Sequence, residues 1–341
     1  MNPTIHSLPI LILYPHSRCN CRCLMCDIWK NSDKSEISTR DLERYLDDIE
    51  KLSVQWVVLS GGEPLMHSDL FRFCSLLRSR SIRTTILSTG LLLERNAEQI
   101  VRHVSDVIVS LDGPPPVHDR IRRIPGAFAL LERGIRAVYE LDPSFAISAR
   151  CTIQRENYFC VRETARAARR LGLKSISFLA ADVTSEAFNR PGGWGPDRQA
   201  QVALSEPQAA VLEHEFDALV AEWSGSAFIL ENWEKLQRIV HHYRAHLGIS
   251  RPIAPRCNAP WVSAVVEADG TLRPCFFHRP IGSVKRNSLL QVLNGPEAVQ
   301  FRSMLDVASN PVCQRCVCSL NWSQKTTGER TSLANALVEG D

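Results

Sequence analysis

Cys19, Cys23 and Cys26 stand in C-x3-C-x2-C spacing directly behind a short apolar run, and this loop constrains the chain more than any other stretch. Three thiolates so close together can take three corners of a [4Fe–4S] cube, whereas a cluster that only carries electrons normally takes four protein ligands. The missing ligand leaves one iron open to a small molecule, the distinction that separates catalytic from structural metal sites. Taken alone, the triplet also suits Zn2+, because a cysteine group reports metal binding without naming the metal. Cys21 lies inside the loop but out of register and reads as a non-ligand.

The same loop sits at the start of a regular alternation. Leu8–Tyr14 reads as a short buried strand, ended by the stretch from Pro15 to Arg18. Ser38-Thr39-Arg40-Asp41 opens a helix that carries Leu42, Leu46, Ile49 and Leu52 at helical spacing. Gln55–Ser60 is a second buried strand, and it delivers the turn Gly61-Gly62-Glu63-Pro64. Helices are predicted at 69–80, 94–103, 128–139 and 159–171, with strands at 83–88, 106–111, 146–153 and 175–180 between and after them. Six strands alternating with helices imply right-handed parallel βαβ units. That count predicts an α/β fold, a partial (β/α)6 barrel of the TIM type, with its active site at the C-terminal strand ends.

Cys19-x3-Cys23-x2-Cys26 after one strand and Gly61-Gly62-Glu63-Pro64 after the next resemble the two signature motifs of the radical S-adenosylmethionine superfamily. The resemblance implies that the open iron binds the amino and carboxylate groups of S-adenosylmethionine. In that family the reduced cluster cleaves the sulfonium to a 5′-deoxyadenosyl radical, which abstracts substrate hydrogen, so the cofactor carries the hard chemistry and the protein binds and orients. A flavodoxin- or ferredoxin-type reductant is implied with it.

Further candidate cofactor contacts lie at the strand ends. Gly61 and Gly62 allow close backbone approach and positive φ, so that carbonyls and Glu63 can meet a ligand amine, and the family uses this motif for the methionine amino group. Ser88-Thr89-Gly90 and Ser110-Leu111-Asp112-Gly113 place short polar groups where ribose or carboxylate could be held; equally, such residues cap the helix after any βα loop. Arg150 lies in an otherwise apolar strand, where an inward-facing guanidinium needs an anionic partner and a cofactor carboxylate would supply it; the alternative is an outward or strand-end arginine. His118-Asp119-Arg120-Ile121-Arg122 is expected as a loop after the fourth strand, bordering substrate or forming a surface turn. Asp112, Asp182 and Glu231 are weak candidates for a general base. Cys74, Cys151 and Cys160 read as buried apolar residues.

Beyond Ala181 the composition shifts. The Pro- and Gly-rich stretch from Asp182 to Ala203 predicts a long loop or lid, with Trp194 either closing over substrate or anchoring on another part of the chain. Two helical stretches follow, at 206–223 and 231–247; His241, His242 and His246 on the second lack the partner a metal motif needs and read as a solvated face. Cys257 and Cys275 bracket a strand and turn, with Gly270-x4-Cys275, and Cys313-x2-Cys316-x-Cys318 lies downstream. This arrangement resembles the twitch domain, a short relative of the SPASM domain, and implies an auxiliary [4Fe–4S] cluster on Cys257, Cys275, Cys313 and Cys316. Cys318 departs from the pattern and either replaces Cys316 or is idle, and a zinc ribbon is the alternative. The expected organisation is a barrel core at 1–182, a loop with connecting helices at 183–250, a small α+β auxiliary-cluster domain at 251–320 and a polar tail at 321–341 that lacks a strong pattern.

Composition narrows the function classes. A net charge of +3, from 40 basic and 37 acidic residues without long runs of one sign, gives no electrostatic case for nucleic acid. The early apolar run is too short to span a bilayer and lacks a signal-peptide flank. Twelve cysteines without a secretion signal point to metal clusters in a reducing, cytoplasmic setting. The leading expectation is a radical enzyme that oxidises a small polar molecule and passes an electron to the auxiliary cluster. A maturase of ribosomally made peptides is the alternative, and the barrel's start at Leu8, which leaves no room before it for a leader-binding domain, tilts against it. A non-catalytic iron–sulfur or zinc protein is the third reading.

Overall fold

The buried apolar runs become strands where the alternation places them. A computed structural model describes residues 1–323. Its strands are β1 Ile10–Leu13, β2 Trp56–Leu59, β3 Arg83–Ser88, β4 Asp106–Ser110, β5 Ile147–Ile153 and β6 Ile176–Ala180, and each pairs in parallel with the next. Helices α1 Thr39–Lys51, α2 Leu70–Arg78, α3 Leu93–His103, α5 Ala127–Leu141 and α6 Val161–Arg170 make the crossovers, with α4 Pro115–Arg122 preceding α5. At the start of α1, Ser38 and Asp41 cap each other's backbone N–H groups in the capping box the sequence predicts.

Period-two alternation divides the sheet into two faces. Leu11, Leu13, Val57, Leu59, Ile86 and Val109 face the helices, while Ile10, Ile12, Trp56, Val58 and Ile108 face the barrel interior. The α/β partial barrel is therefore present, open beyond its edge strand β6. A segment from Phe228 to Leu230 partly covers that edge, with Ile176 N donating to Phe228 O (2.9 Å) and Leu230 N to Ile176 O (3.1 Å).

Two features differ from the sequence expectation. The stretch expected as a loop after β4 is helix α4, with Pro115 in its first turn, where the missing N–H costs nothing, and with Val117, His118, Ile121 and Arg122 buried. The C-terminal strands also join the barrel sheet. β7 Ser263–Val266 runs parallel to β1 in the register Ile10↔Ser263, then β8 Thr271–Arg273 and β9 Gly282–Ser283 follow antiparallel, giving one sheet in the order β6-β5-β4-β3-β2-β1-β7-β8-β9.

The remaining helices are α7 Pro196–Ala200, α8 Glu206–Glu222, α9 Trp233–His246, α10 Ala259–Val262, α11 Leu289–Leu293, α12 Pro296–Met304 and α13 Pro311–Gln314. Leu320 and Trp322 return into the barrel interior, where the Trp322 ring meets Trp56 edge-on with centroids 6.4 Å apart. The expected polar tail falls outside the described residues beyond residue 323. Among the described residues, no helix is long and apolar enough to cross a membrane.

Candidate active site

The two sequence motifs are physically one unit. Glu63 N donates to Arg18 O (2.9 Å), and His16 bridges them, its Nε2 donating to Glu63 O (2.6 Å) while its Nδ1 accepts from Arg18 N (2.9 Å). Burial pushes the His16 ring down to about 4, which keeps it neutral and able to play both parts. Glycine is required by this contact. A Cβ on Gly62 would lie 1.8 Å from the Arg18 carbonyl oxygen, and Gly61 has φ +94° with Tyr14 against it. Gly62→Ala is expected to push the cysteine loop off the turn and cost about half of the reconstituted iron, about four of eight for two [4Fe–4S] clusters. An iron assay per chain after anaerobic reconstitution checks this, and full iron content would refute it.

The loop is also held from behind. Arg22 N and Leu24 N donate to Arg122 O (3.2 Å) and Ile121 O (3.0 Å) at the end of α4. The buried Arg122 donates from Nη1 to Cys23 Sγ (3.4 Å) and pairs through Nη2 with Asp112 Oδ2 (2.5 Å). Asp112 is wholly buried and also accepts from Thr152 N (3.0 Å), so it ties the ends of β4, β5 and α4 together. Burial alone would lower the Arg122 pKa, but the Asp112 carboxylate and the thiolates at Cys23 and Cys21 raise it, so this guanidinium stays charged. On the other side, the stretch expected as a lid clamps residues 24–27. Arg198 donates to Leu24 O, Arg190 to Met25 O (2.6 Å) and Asn189 to Asp27 O (3.0 Å). Trp194 donates to Asp27 Oδ2 (2.7 Å) and lies between the Arg190 and Arg198 guanidinium groups, so its place is that of an anchor on the cysteine loop.

Within the loop, burial pushes the Cys19 and Cys26 thiols up to about 12, while the Cys21 thiol donates to Cys23 and, with Arg122 and against burial, holds Cys23 below the usual thiol range. Cys23 lies close enough to raise the pKa of both Cys19 and Cys26, and Cys26 close enough to raise that of Cys19. Desolvated thiolates of this kind need cationic partners, and an iron cluster supplies them. Among the described residues no group of three or more His, Cys, Asp or Glu is arranged to hold a single metal ion. A zinc site needs its ligands to converge on one point; in a cube each thiolate ends on its own iron.

The other expected contacts separate. Glu63 is fully buried, and its carboxylate accepts from Ser88 Oγ (2.9 Å), Thr89 N (2.6 Å), Thr89 Oγ1 (2.6 Å) and Leu65 N (3.1 Å), so it serves as a strut between the ends of β2 and β3. Burial raises its pKa and these donors oppose the rise. Ser88 thus points at Glu63, and it is its neighbour Thr89 that reaches the cysteine loop, at 3.1 Å from Asn20 Oδ1. Pro64 starts a buried 3-10 turn behind Glu63. Ser110 and Arg150 stand side by side in register on β4 and β5, with Ser177 next to Arg150 on β6 and 3.3 Å from its Nε. Gly61 and Gly62 line one cavity and Arg150 another, each of about 380 Å³.

The second constellation gathers five thiols. Cys257 is in electrostatic contact with Cys275, Cys313, Cys316 and Cys318. Asn310 caps α13 and so fixes Cys313, whose sulfur lies 3.3 Å from His278 Nε2. Cys316 Sγ donates to Cys318 O (2.6 Å). Asn258 pins the C-terminal segment to Cys257, its N donating to Leu320 O (2.8 Å) and its side chain bonding both N and O of Trp322. Burial raises the Cys275 thiol to about 12 and Cys313 to about 11, the same electron-rich, desolvated donor set as in the first loop. Cys74, Cys151 and Cys160 lie in the core, at most 1% exposed.

Comparison with known proteins agrees with this arrangement. Residues 13–168 match the radical SAM superfamily, and residues 257–317 match the SPASM iron–sulfur cluster-binding domain. Among similar proteins, Fe-coproporphyrin III synthase of Methanosarcina barkeri is 29% identical over 44% of this chain and 38% of its own length. Pre-heme d1 synthase of Dinoroseobacter shibae is 24% identical over 98% of this chain and 84% of its own. The chain covers half or less of the first three curated relatives it matches. Streptococcus suis SuiB, solved with S-adenosylmethionine, shares the fold with a TM-score of 0.66 at 14% identity, over 93% of this chain and 73% of that one.

The barrel and its three-cysteine loop, residues 13–168, are those of a radical SAM domain. The chain belongs to the radical SAM superfamily, in the part that carries a C-terminal SPASM-type domain, and its cofactors are a [4Fe–4S] cluster, S-adenosylmethionine and auxiliary iron–sulfur.

Proposed function

We propose that this enzyme removes hydrogen from a small polar molecule bound inside the barrel beside its second cysteine constellation and oxidises it. The observation that carries the reading is a shared cavity: Arg150, from the barrel interior, and Cys316 and Cys318, from the second constellation, line the same space of about 380 Å³. Such a space at the C-terminal strand ends is where a barrel of this type assembles a site. Cys19, Cys23 and Cys26 hold the first cluster, and Cys257, Cys275, Cys313 and Cys316 hold the auxiliary one. When bound, the first cluster with S-adenosylmethionine supplies hydrogen-abstracting radical chemistry, and the auxiliary cluster accepts an electron.

In this proposal the chain's own part is positional. The backbone at Gly61–Gly62 approaches the methionine end of the cofactor, with Glu63 and Pro64 bracing the turn. Ser110 and Arg150, adjacent on neighbouring strands, present a hydroxyl and a guanidinium to the interior. Asp112 acts through Arg122 and Ser88 through Glu63, so both position the site rather than touch the cofactor. A flavodoxin- or ferredoxin-type protein delivers the electrons. Two relatives are named Fe-coproporphyrin III synthase and pre-heme d1 synthase, which supports a small molecule, while the name of a third, a bacteriocin biosynthesis protein of Bacillus subtilis, keeps the peptide reading as the alternative.

The test is anaerobic. Reconstituted enzyme with dithionite and S-adenosylmethionine is expected to form 5′-deoxyadenosine, and deuterated candidate substrates are expected to pass deuterium into it. Full iron content without cleavage would sink the reading.

A further inference from the structure

The turn after β8 serves two of the auxiliary thiols at once. The backbone of Phe277 and His278 hydrogen-bonds the Cys275 sulfur, and the His278 ring reaches Cys313, its Nε2 3.3 Å from Sγ. A thiolate that ligates a metal has given up its proton, so in the loaded enzyme this contact has one direction: Nε2–H donates and the sulfur accepts. His278 is 7% exposed, so water competes little for that donor.

Both partners are also held from elsewhere. Arg273 donates from Nη1 to His278 O (3.1 Å) while its Nε pairs with Glu267 (2.8 Å). The ring of Phe301 on α12 meets the imidazole edge-on with centroids 4.9 Å apart, and Asn310 caps the turn that carries Cys313. The imidazole is therefore placed against the sulfur rather than resting there by chance of side-chain freedom. An N–H donor on a ligating sulfur favours the state in which a cluster holds more negative charge, which is the reduced one. Three such donors fall on Cys275 and Cys313, and all three come from residues 277 and 278.

We propose that His278 sets the readiness of the auxiliary cluster to accept an electron, by donating a hydrogen bond through Nε2 to the Cys313 sulfur. It acts through Cys313, as a positioning residue. This rests on the reading above that Cys257, Cys275, Cys313 and Cys316 hold the auxiliary cluster and that the cluster takes an electron.

The test is a redox titration of the reconstituted holoenzyme followed by electron paramagnetic resonance, with S-adenosylmethionine added to mark the first cluster's signal. His278→Phe keeps a ring against Phe301 and removes the donor, His278→Leu is a smaller apolar replacement, and His278→Gln returns an amide N–H near the place of Nε2. Each apolar variant is expected to disfavour reduction of the auxiliary cluster about tenfold, as for one hydrogen bond to a charged group, a fall of about 59 mV in a one-electron couple. His278→Gln is expected to recover roughly half of that shift or more, and the first cluster to keep its wild-type potential in all three. An unchanged auxiliary potential, a fall shared by the first cluster, an equal fall in the Gln and apolar variants, or loss of auxiliary iron from both apolar variants would overturn the proposal. Cys313→Ala tests the ligand reading separately: it is expected to lose about four of eight irons, and full iron content there would remove Cys313 from the ligand set.

Discussion

Replacing Cys19, Cys23 and Cys26 together by alanine is expected to abolish 5′-deoxyadenosine formation while about four of eight irons remain on the chain. The reasoning is structural. The loop that carries these cysteines is tied to the glycine turn through Arg18 and to α4 through Arg122 and Ile121, whereas the second constellation is held by Asn258 and the α13 cap. Among the described residues, no hydrogen bond joins the two sets of thiols. Loss of all iron in the triple variant would show that the auxiliary cluster needs the first for assembly. Unchanged iron would contradict the ligand assignment itself. In either case, surviving cleavage at the wild-type rate would remove the loop from the chemistry.

Much of this architecture was legible in the residues because it rests on local pattern. β1 and β2 are wholly apolar runs and β3 to β6 short stretches with a buried apolar set, and the two signature motifs fall at the C-terminal ends of β1 and β2, where the alternation puts them. The α4 helix was not legible for the opposite reason. Its buried face mixes His118 and Arg122 with Val117 and Ile121, so only one apolar pair at helical spacing announces it, and its first two residues are prolines. The buried polar residues there are the functional signal, visible only once Asp112 and Cys23 lie beside them.

The neighbourhood of β1 was hidden by distance along the chain. Nothing in Ser263–Val266 states that it lies parallel to Ile10–Leu13, and sheet order is decided by tertiary packing. Ser88 shows a finer limit. Ser88, the last residue of β3, and Thr89, just beyond it, both bond Glu63, and only Thr89 also reaches Asn20, a difference of placement that composition does not carry. Glu63 likewise looked like a ligand to a cofactor amine. Four donors from its own fold occupy its carboxylate, and those donors come from β3 and from Leu65.

Arg122 carries the second large prediction, because one guanidinium joins the buried Asp112 carboxylate to Cys23. Arg122→Leu leaves Asp112 charged, buried and unpaired, a cost on the order of 3–5 kcal/mol. It also removes the positive charge nearest Cys23, which favours the more negative, reduced state of a bound cluster. The first cluster's midpoint potential is therefore expected to fall, by about 59 mV for each 1.4 kcal/mol of lost interaction in a one-electron couple. The double variant Arg122→Leu/Asp112→Asn separates the two effects. It removes the stranded charge, so urea denaturation is expected to show most of the stability restored, while a redox titration followed by electron paramagnetic resonance still finds the lowered potential. Because the Asp112 charge also acts on Cys23 with the opposite sign, Asp112→Asn alone, which keeps the guanidinium, is the reference: a double variant with the same potential as Asp112→Asn would reduce Arg122 to a structural brace.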